Sequence, residues 1–177
     1  MIARNNISFF FYFLLVIFAI NFLFSNELSS SFLSRDIPIE WDEDGDGLFD
    51  DISIYQNSGS ITSRIYSDEI DITSEGDALA AFVDGEQRGF VLSSSAPPSL
   101  GGGYGFLILI YSNLPSGEII TFQFYDHSEN TVYNIQESYD FTSDMIIGSI
   151  TSAEAFNLGD IVSNGDDGGS CDDIDDD

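Results

Sequence analysis

Five aspartates crowd the stretch Trp41-Asp-Glu-Asp-Gly-Asp-Gly-Leu-Phe-Asp-Asp51, at Asp42, Asp44, Asp46, Asp50 and Asp51. Each ionised carboxylate supplies hard oxygen donors, and a hard cation such as Ca2+ gathers about six to eight oxygens. Alternating carboxylates in a tight turn can supply several of them from one short loop, and Gly45 and Gly47 permit the bend. The pattern predicts a Ca2+ site with Asp42, Asp44, Asp46 and Asp50 as the main ligands, Asp51 assisting, and Leu48 offering its backbone carbonyl. The competing reading is a solvated acidic linker.

Asp42, Asp44, Asp46 and Gly47 match the first half of the D-x-[DN]-x-[DN]-G calcium loop. An EF-hand would carry a bidentate Glu where Ser53 stands, and helices would flank the loop. Ile52-Ser-Ile-Tyr55 alternates instead, which predicts a strand. Over residues 41–51 the loop resembles the Asp-rich calcium repeats of extracellular proteins, such as thrombospondin type-3 repeats.

The elements that must position this loop read as short strands. Ile61–Tyr66 is predicted to pair back on Ile52–Tyr55 through a turn at Asn57–Ser60. Ala78–Val83 and Arg88–Leu92 flank Asp84-Gly85, a hairpin signal. Tyr104–Tyr111 is the most apolar run and is expected to be central and covered on both faces. Glu118–Tyr125, Thr131–Ile135 and the apolar segments Phe141 and Met145–Ile150 complete the series. No sustained helical period occurs, so the expectation is all-β, an antiparallel β-sandwich of jelly-roll or Ig-like form over residues 52–158.

Ahead of it, Arg4 and the apolar run Ile7–Phe24, closed by Ser25, read as a signal peptide over residues 1–25, with an uncleaved anchor as the alternative. Residues 26–40 read as a linker, 41–51 as the calcium loop, and 159–177 as a disordered acidic tail. Cys171 is the single cysteine, so no internal disulfide can form. The chain carries 31 acidic and 4 basic residues, a net charge of −27. That field repels phosphate, which argues against nucleic acid, and against anionic membrane surfaces after leader cleavage. The self-repulsion would be relieved by bound cations or high ionic strength.

Catalytic readings are thin. Asp126-His-Ser128 is too local to form a nucleophile–base pair, and Glu86, Glu118 and Asp126 are carboxylate candidates in a chain where acids abound. The expectation is a non-enzyme. Arg88 pairs with Asp84 or Glu86, or else forks onto a ligand carboxylate. Tyr104, Tyr111, Tyr125 and Tyr133 form a sugar-stacking platform if several emerge on one face.

Gly76–Gly89, Tyr104–Asn113 and Gly117–Asp126 together resemble a β-sandwich module of large secreted and surface proteins of marine and gliding bacteria. The resemblance spans residues 50–150 and implies an exported, non-catalytic module. The expected function is therefore a secreted, calcium-binding module for cell-surface or matrix adhesion, with an extracellular glycan or surface protein as partner. A carbohydrate-binding accessory module is the alternative, and a secreted hydrolase such as a glycosidase a third.

Overall fold

The computed structural model describes residues 37–50 and 52–162. The expected signal peptide and Cys171 lie outside them, as does most of the expected acidic tail. Eleven strands follow one another: β1 Asn57–Ser67, β2 Ile70–Asp71, β3 Ala78–Val83, β4 Glu86–Leu92, β5 Ser94–Ser95, β6 Tyr104–Ser112, β7 Ser116–Asp126, β8 Thr131–Ile135, β9 Tyr139–Thr142, β10 Ile146–Ile147 and β11 Glu154–Ile161. The only helical pieces among the described residues are three single 3-10 turns, at Ile39–Trp41, Ile52–Ile54 and Pro98–Leu100.

The fold is all-β. The strands form one large mixed sheet in the order β4-β3-β7-β8-β11-β1-β6-β5, with β2 and β10 added to β1 and β9 to β7. A purely antiparallel sheet was expected, yet β1 runs parallel to both β10 and β11. The ends of the path approach each other without closing. A Cβ on Gly89 of β4 would lie 2.2 Å from the Leu109 carbonyl oxygen of β6, so only glycine allows this approach.

Alternation sets the core. Ile61 and Ile65 of β1, Phe106, Ile108 and Ile110 of β6, and Ile120, Phe122 and Phe124 of β7 all point inward and are buried with Phe141 and Phe156. β3 is buried on both faces. Leu79, Ala81 and Val83 join this core, while Ala78 and Ala80 join Phe90, Tyr125 and Trp41 in a second cluster on the opposite face.

Four expectations are corrected. Ile52–Ile54 is a 3-10 turn and not a strand, since Ile52 and Ile54 are both exposed and bury no face. Asn57–Ser60 is not a turn but the start of the eleven-residue β1, whose partner is β6. β6 is covered on one face only, with Leu107 and Leu109 exposed. The last strand runs to Ile161, past the expected start of the tail at residue 159, because Ile161 pairs with Tyr133. The hairpin at Asp84-Gly85 forms, but with a tighter turn than the expected strand start at Arg88 implied, since the strand begins at Glu86, which pairs with Val83. Asp84 and Gly85 both take positive φ (51° and 83°), the two-residue turn that matches strand twist.

Candidate metal and ligand site

Residues 37–50 form a strap across the outer face of β3 and β4. Trp41 is buried edge-on to Phe82 and Phe90, at centroid distances of 6.1 and 6.5 Å. Its carbonyl accepts a hydrogen bond from Gln87 Nε2 at 2.9 Å. At the other end Phe49 stacks with Tyr55 and Tyr111, centroids 6.2 and 5.8 Å apart. The loop between these rings also presses on β4: a Cβ on Gly47 would meet Leu92 Cδ1 at 2.9 Å.

Backbone donors shape the loop from within. Gly47 N–H donates to Asp42 Oδ2 (3.0 Å), Asp46 N–H to Asp44 Oδ1 (3.0 Å) and Leu48 N–H to Asp46 Oδ1 (2.8 Å). Asp42, Asp44 and Asp50 thereby bring one carboxylate oxygen each within 4.8 Å of one another. Two oxygens on one Ca2+ can be no more than about 5 Å apart, twice the usual bond length, so the three fit a single ion. Asp42 Oδ1 is buried and accepts no hydrogen bond. A buried carboxylate oxygen left unpartnered is costly, and a cation would satisfy it. Partial desolvation, and then the charges of Asp44, Asp42 and Asp46, hold the Asp50 carboxyl above its ordinary range, against the pull of the Glu43 backbone N–H.

Of the predicted ligands, Asp42, Asp44 and Asp50 are gathered. Asp46 is outside this group and spends an oxygen on the Leu48 turn, while Asp51 lies outside the described residues. Beside the loop opens a cleft of about 460 Å3, whose walls include Glu40, Glu43 and Glu86 as well as Trp41, Phe49 and Tyr55, and which shares Asp44 and Asp50 with the metal group. These flanking acids and rings carry no spacing signal in the sequence; only the strap's path across the sheet brings them together.

Arg88 is held between two acids, Glu86 and Glu118. The β3–β4 register shifts between Ala81 and Phe82, so Gly89 faces Ala81, Gln87 faces Phe82, and Arg88 is the extra, bulged residue. Its guanidinium reaches Glu86 at 3.3 Å and Glu118 at 3.4 Å, not Asp84, and lies 5.1 Å from the centre of the Tyr55 ring. Glu118 in turn accepts the Ser112 hydroxyl. With Arg88 nearly buried, a ligand carboxylate has little access to it.

The four tyrosines do not share a face. Tyr125 is buried in the second cluster, its hydroxyl donating to Asn130 at 2.9 Å, so it offers no surface for a sugar. Tyr111 lies on the outer side of β6 with Leu107 and Leu109, whereas Tyr104 has the inward parity of Phe106. Tyr133 packs against the main core. Its hydroxyl donates to Glu129 at 2.6 Å, and that bond, with desolvation and the Glu129 charge, pushes the phenol up to about 12.

Among the catalytic candidates Glu86 and Glu118 meet, both as partners of Arg88, while Asp126, His127 and Ser128 stand at the other end of β7. The Ser128 hydroxyl donates to Asp126 at 2.7 Å, capping the β7–β8 turn, and His127 uses its backbone N–H to reach Asp77 at 3.1 Å. Asp126 stands eight residues along β7 from Glu118, roughly 27 Å at strand rise and well beyond a carboxylate pair that cleaves glycosides. Among the described residues no helix is long and apolar enough to cross a membrane. Comparison with family models, curated proteins and solved structures finds no match for this chain.

Proposed function

We propose that this chain is an exported, calcium-stabilised β-sandwich module that serves binding or adhesion at a cell surface or in an extracellular matrix. The observation that carries the calcium reading is the convergence of carboxylate oxygens from Asp42, Asp44 and Asp50, on a loop where Asp42 Oδ1 is buried and unpartnered. The sandwich reading is supported by two groups of strands, β4-β3-β7-β8 and β1-β6-β5, that enclose the Phe-rich core and are joined through β11. The apolar run Ile7–Phe24 supports export. In this reading the ion cross-links the strap's own loop and offsets part of the acidic self-repulsion.

The test is a thermal melt of the full chain in EDTA and in 10 mM CaCl2, beside two variants. For a site of extracellular affinity, calcium should raise the melting temperature by about 5 °C. Asp44→Ala/Asp50→Ala should abolish that shift. Asp46→Ala should keep most of it, since Asp46 stands outside the gathered group. A melt indifferent to calcium, or one raised equally by calcium in the double variant, would refute the site.

A further inference from the structure

An apolar groove lies beside the acidic cleft, and Phe49 lines both. The groove, about 260 Å3, runs along the outer face of β6 and under the strap; Leu107, Leu109 and Tyr111 form one wall and Leu48 and Ile52 the other. Four of these side chains are strongly exposed: Leu48 at 65%, Ile52 at 50%, Leu107 at 55% and Leu109 at 48%. Scattered exposed leucines need no explanation, but a contiguous apolar lane with a polar rim marks an interaction surface.

The rim indicates the occupant. Glu40, Glu43 and Glu86 line the cleft alongside Asp44 and Asp50. Glu86 is held by Arg88 and by the Tyr55 hydroxyl, so with Asp44 and Asp50 engaged by calcium, Glu40 and Glu43 are the acids that face a ligand. A second copy would bring another chain of net charge −27 against that rim and be repelled. Nucleic acid is excluded by the same field. Leu107, Leu109 and Tyr111 project from one strand face at two-residue spacing, about 7 Å apart, which matches alternate side chains of an extended segment.

We infer that this surface docks an extended segment of a partner protein that alternates apolar and basic residues, its apolar side chains seated between β6 and the strap and its Lys or Arg side chains reaching Glu40 and Glu43. The inference rests on the reading of the chain as a binding module and names its partner class. Charge at the rim steers and orients such a segment, and burial of the leucine lane holds it.

The probe is a labelled 12-residue peptide of alternating Leu and Lys, titrated with the full chain in 10 mM CaCl2 and followed by fluorescence anisotropy. Its alternating Ser and Lys counterpart serves as the control. The Leu peptide should bind at least tenfold more tightly. Leu107→Ser/Leu109→Ser should erase that difference while leaving the calcium-dependent melt shift in place, so docking and calcium binding are read separately. If the double variant melts early, Ile52→Ser, which lies outside the sheet, should reproduce the loss. Glu40→Gln/Glu43→Gln should weaken both peptides and flatten their salt dependence. Equal binding of the two peptides, or unchanged affinity in the leucine variant, would overturn the proposal. So would a chain that sediments as a dimer until Leu107 and Leu109 are replaced, since the face would then belong to a second copy.

Discussion

At the residue scale, the most demanding polar group outside the metal loop is Asp77. It is fully buried. Its carboxylate accepts the Ser74 N–H at 2.7 Å and the His127 N–H at 3.1 Å, joining the approach to β3 to the β7–β8 turn. Asp77→Ala would strand both donors, at a cost of about 2–3 kcal/mol in urea unfolding. Burial raises the Asp77 pKa, against the opposing hydrogen bonds from Ser74 and His127. A carboxyl whose folded pKa lies above its unfolded value stabilises fully below the unfolded value, and that contribution fades as pH rises through the folded one. The stability of the wild type relative to Asp77→Asn should therefore shrink as pH rises from about 4, the ordinary aspartate value, through the raised value. A difference that widens over that range would contradict the burial argument. Ser74 is a local partner three residues away, but the second donor is hidden in the sequence, because His127 is brought to Asp77 by pairing of β3 with β7.

At the element scale, the strap depends on its two ring anchors. Trp41→Ala should cost about 3–5 kcal/mol, since it empties a site between Phe82 and Phe90, and it should weaken calcium binding along with stability. Gly89→Ala should also destabilise, by about 1–3 kcal/mol, through collision with the β6 backbone. Retained stability in both variants would show that neither strap nor seam is tightly packed. Much at this scale was legible in advance. β3, β4, β7 and β8 were readable because apolar spacing and the Asp84-Gly85 turn are local signals. The same period misled at Ile52–Tyr55, where alternation exists with no core to face. The pairing of β1 with β6 and β11 joins residues far apart in sequence and leaves no trace in either segment alone. The Asp loop was legible as an acidic motif, but its internal hydrogen bonding was not. The turn at Leu48 recruits Asp46 and leaves Asp42, Asp44 and Asp50 to converge.

At the scale of the whole molecule, a net charge of −27 makes stability a function of ionic strength. Raising NaCl from 0.1 to 1 M shortens the screening length from about 10 to 3 Å. Calorimetry should show a rising melting temperature for the wild type and for Asp44→Ala/Asp50→Ala alike, whereas the added increment from calcium should persist in high salt only in the wild type. The order of the sheet has a mechanical consequence as well. β1 and β11, the first and last strands, lie side by side and parallel, with Ser63–Tyr66 registered on Glu154–Asn157. The polypeptide therefore enters one strand and leaves the other at opposite ends of their shared ladder. A pull between those ends runs along the strands and loads the rungs together in shear, where an antiparallel pair would unzip them one by one.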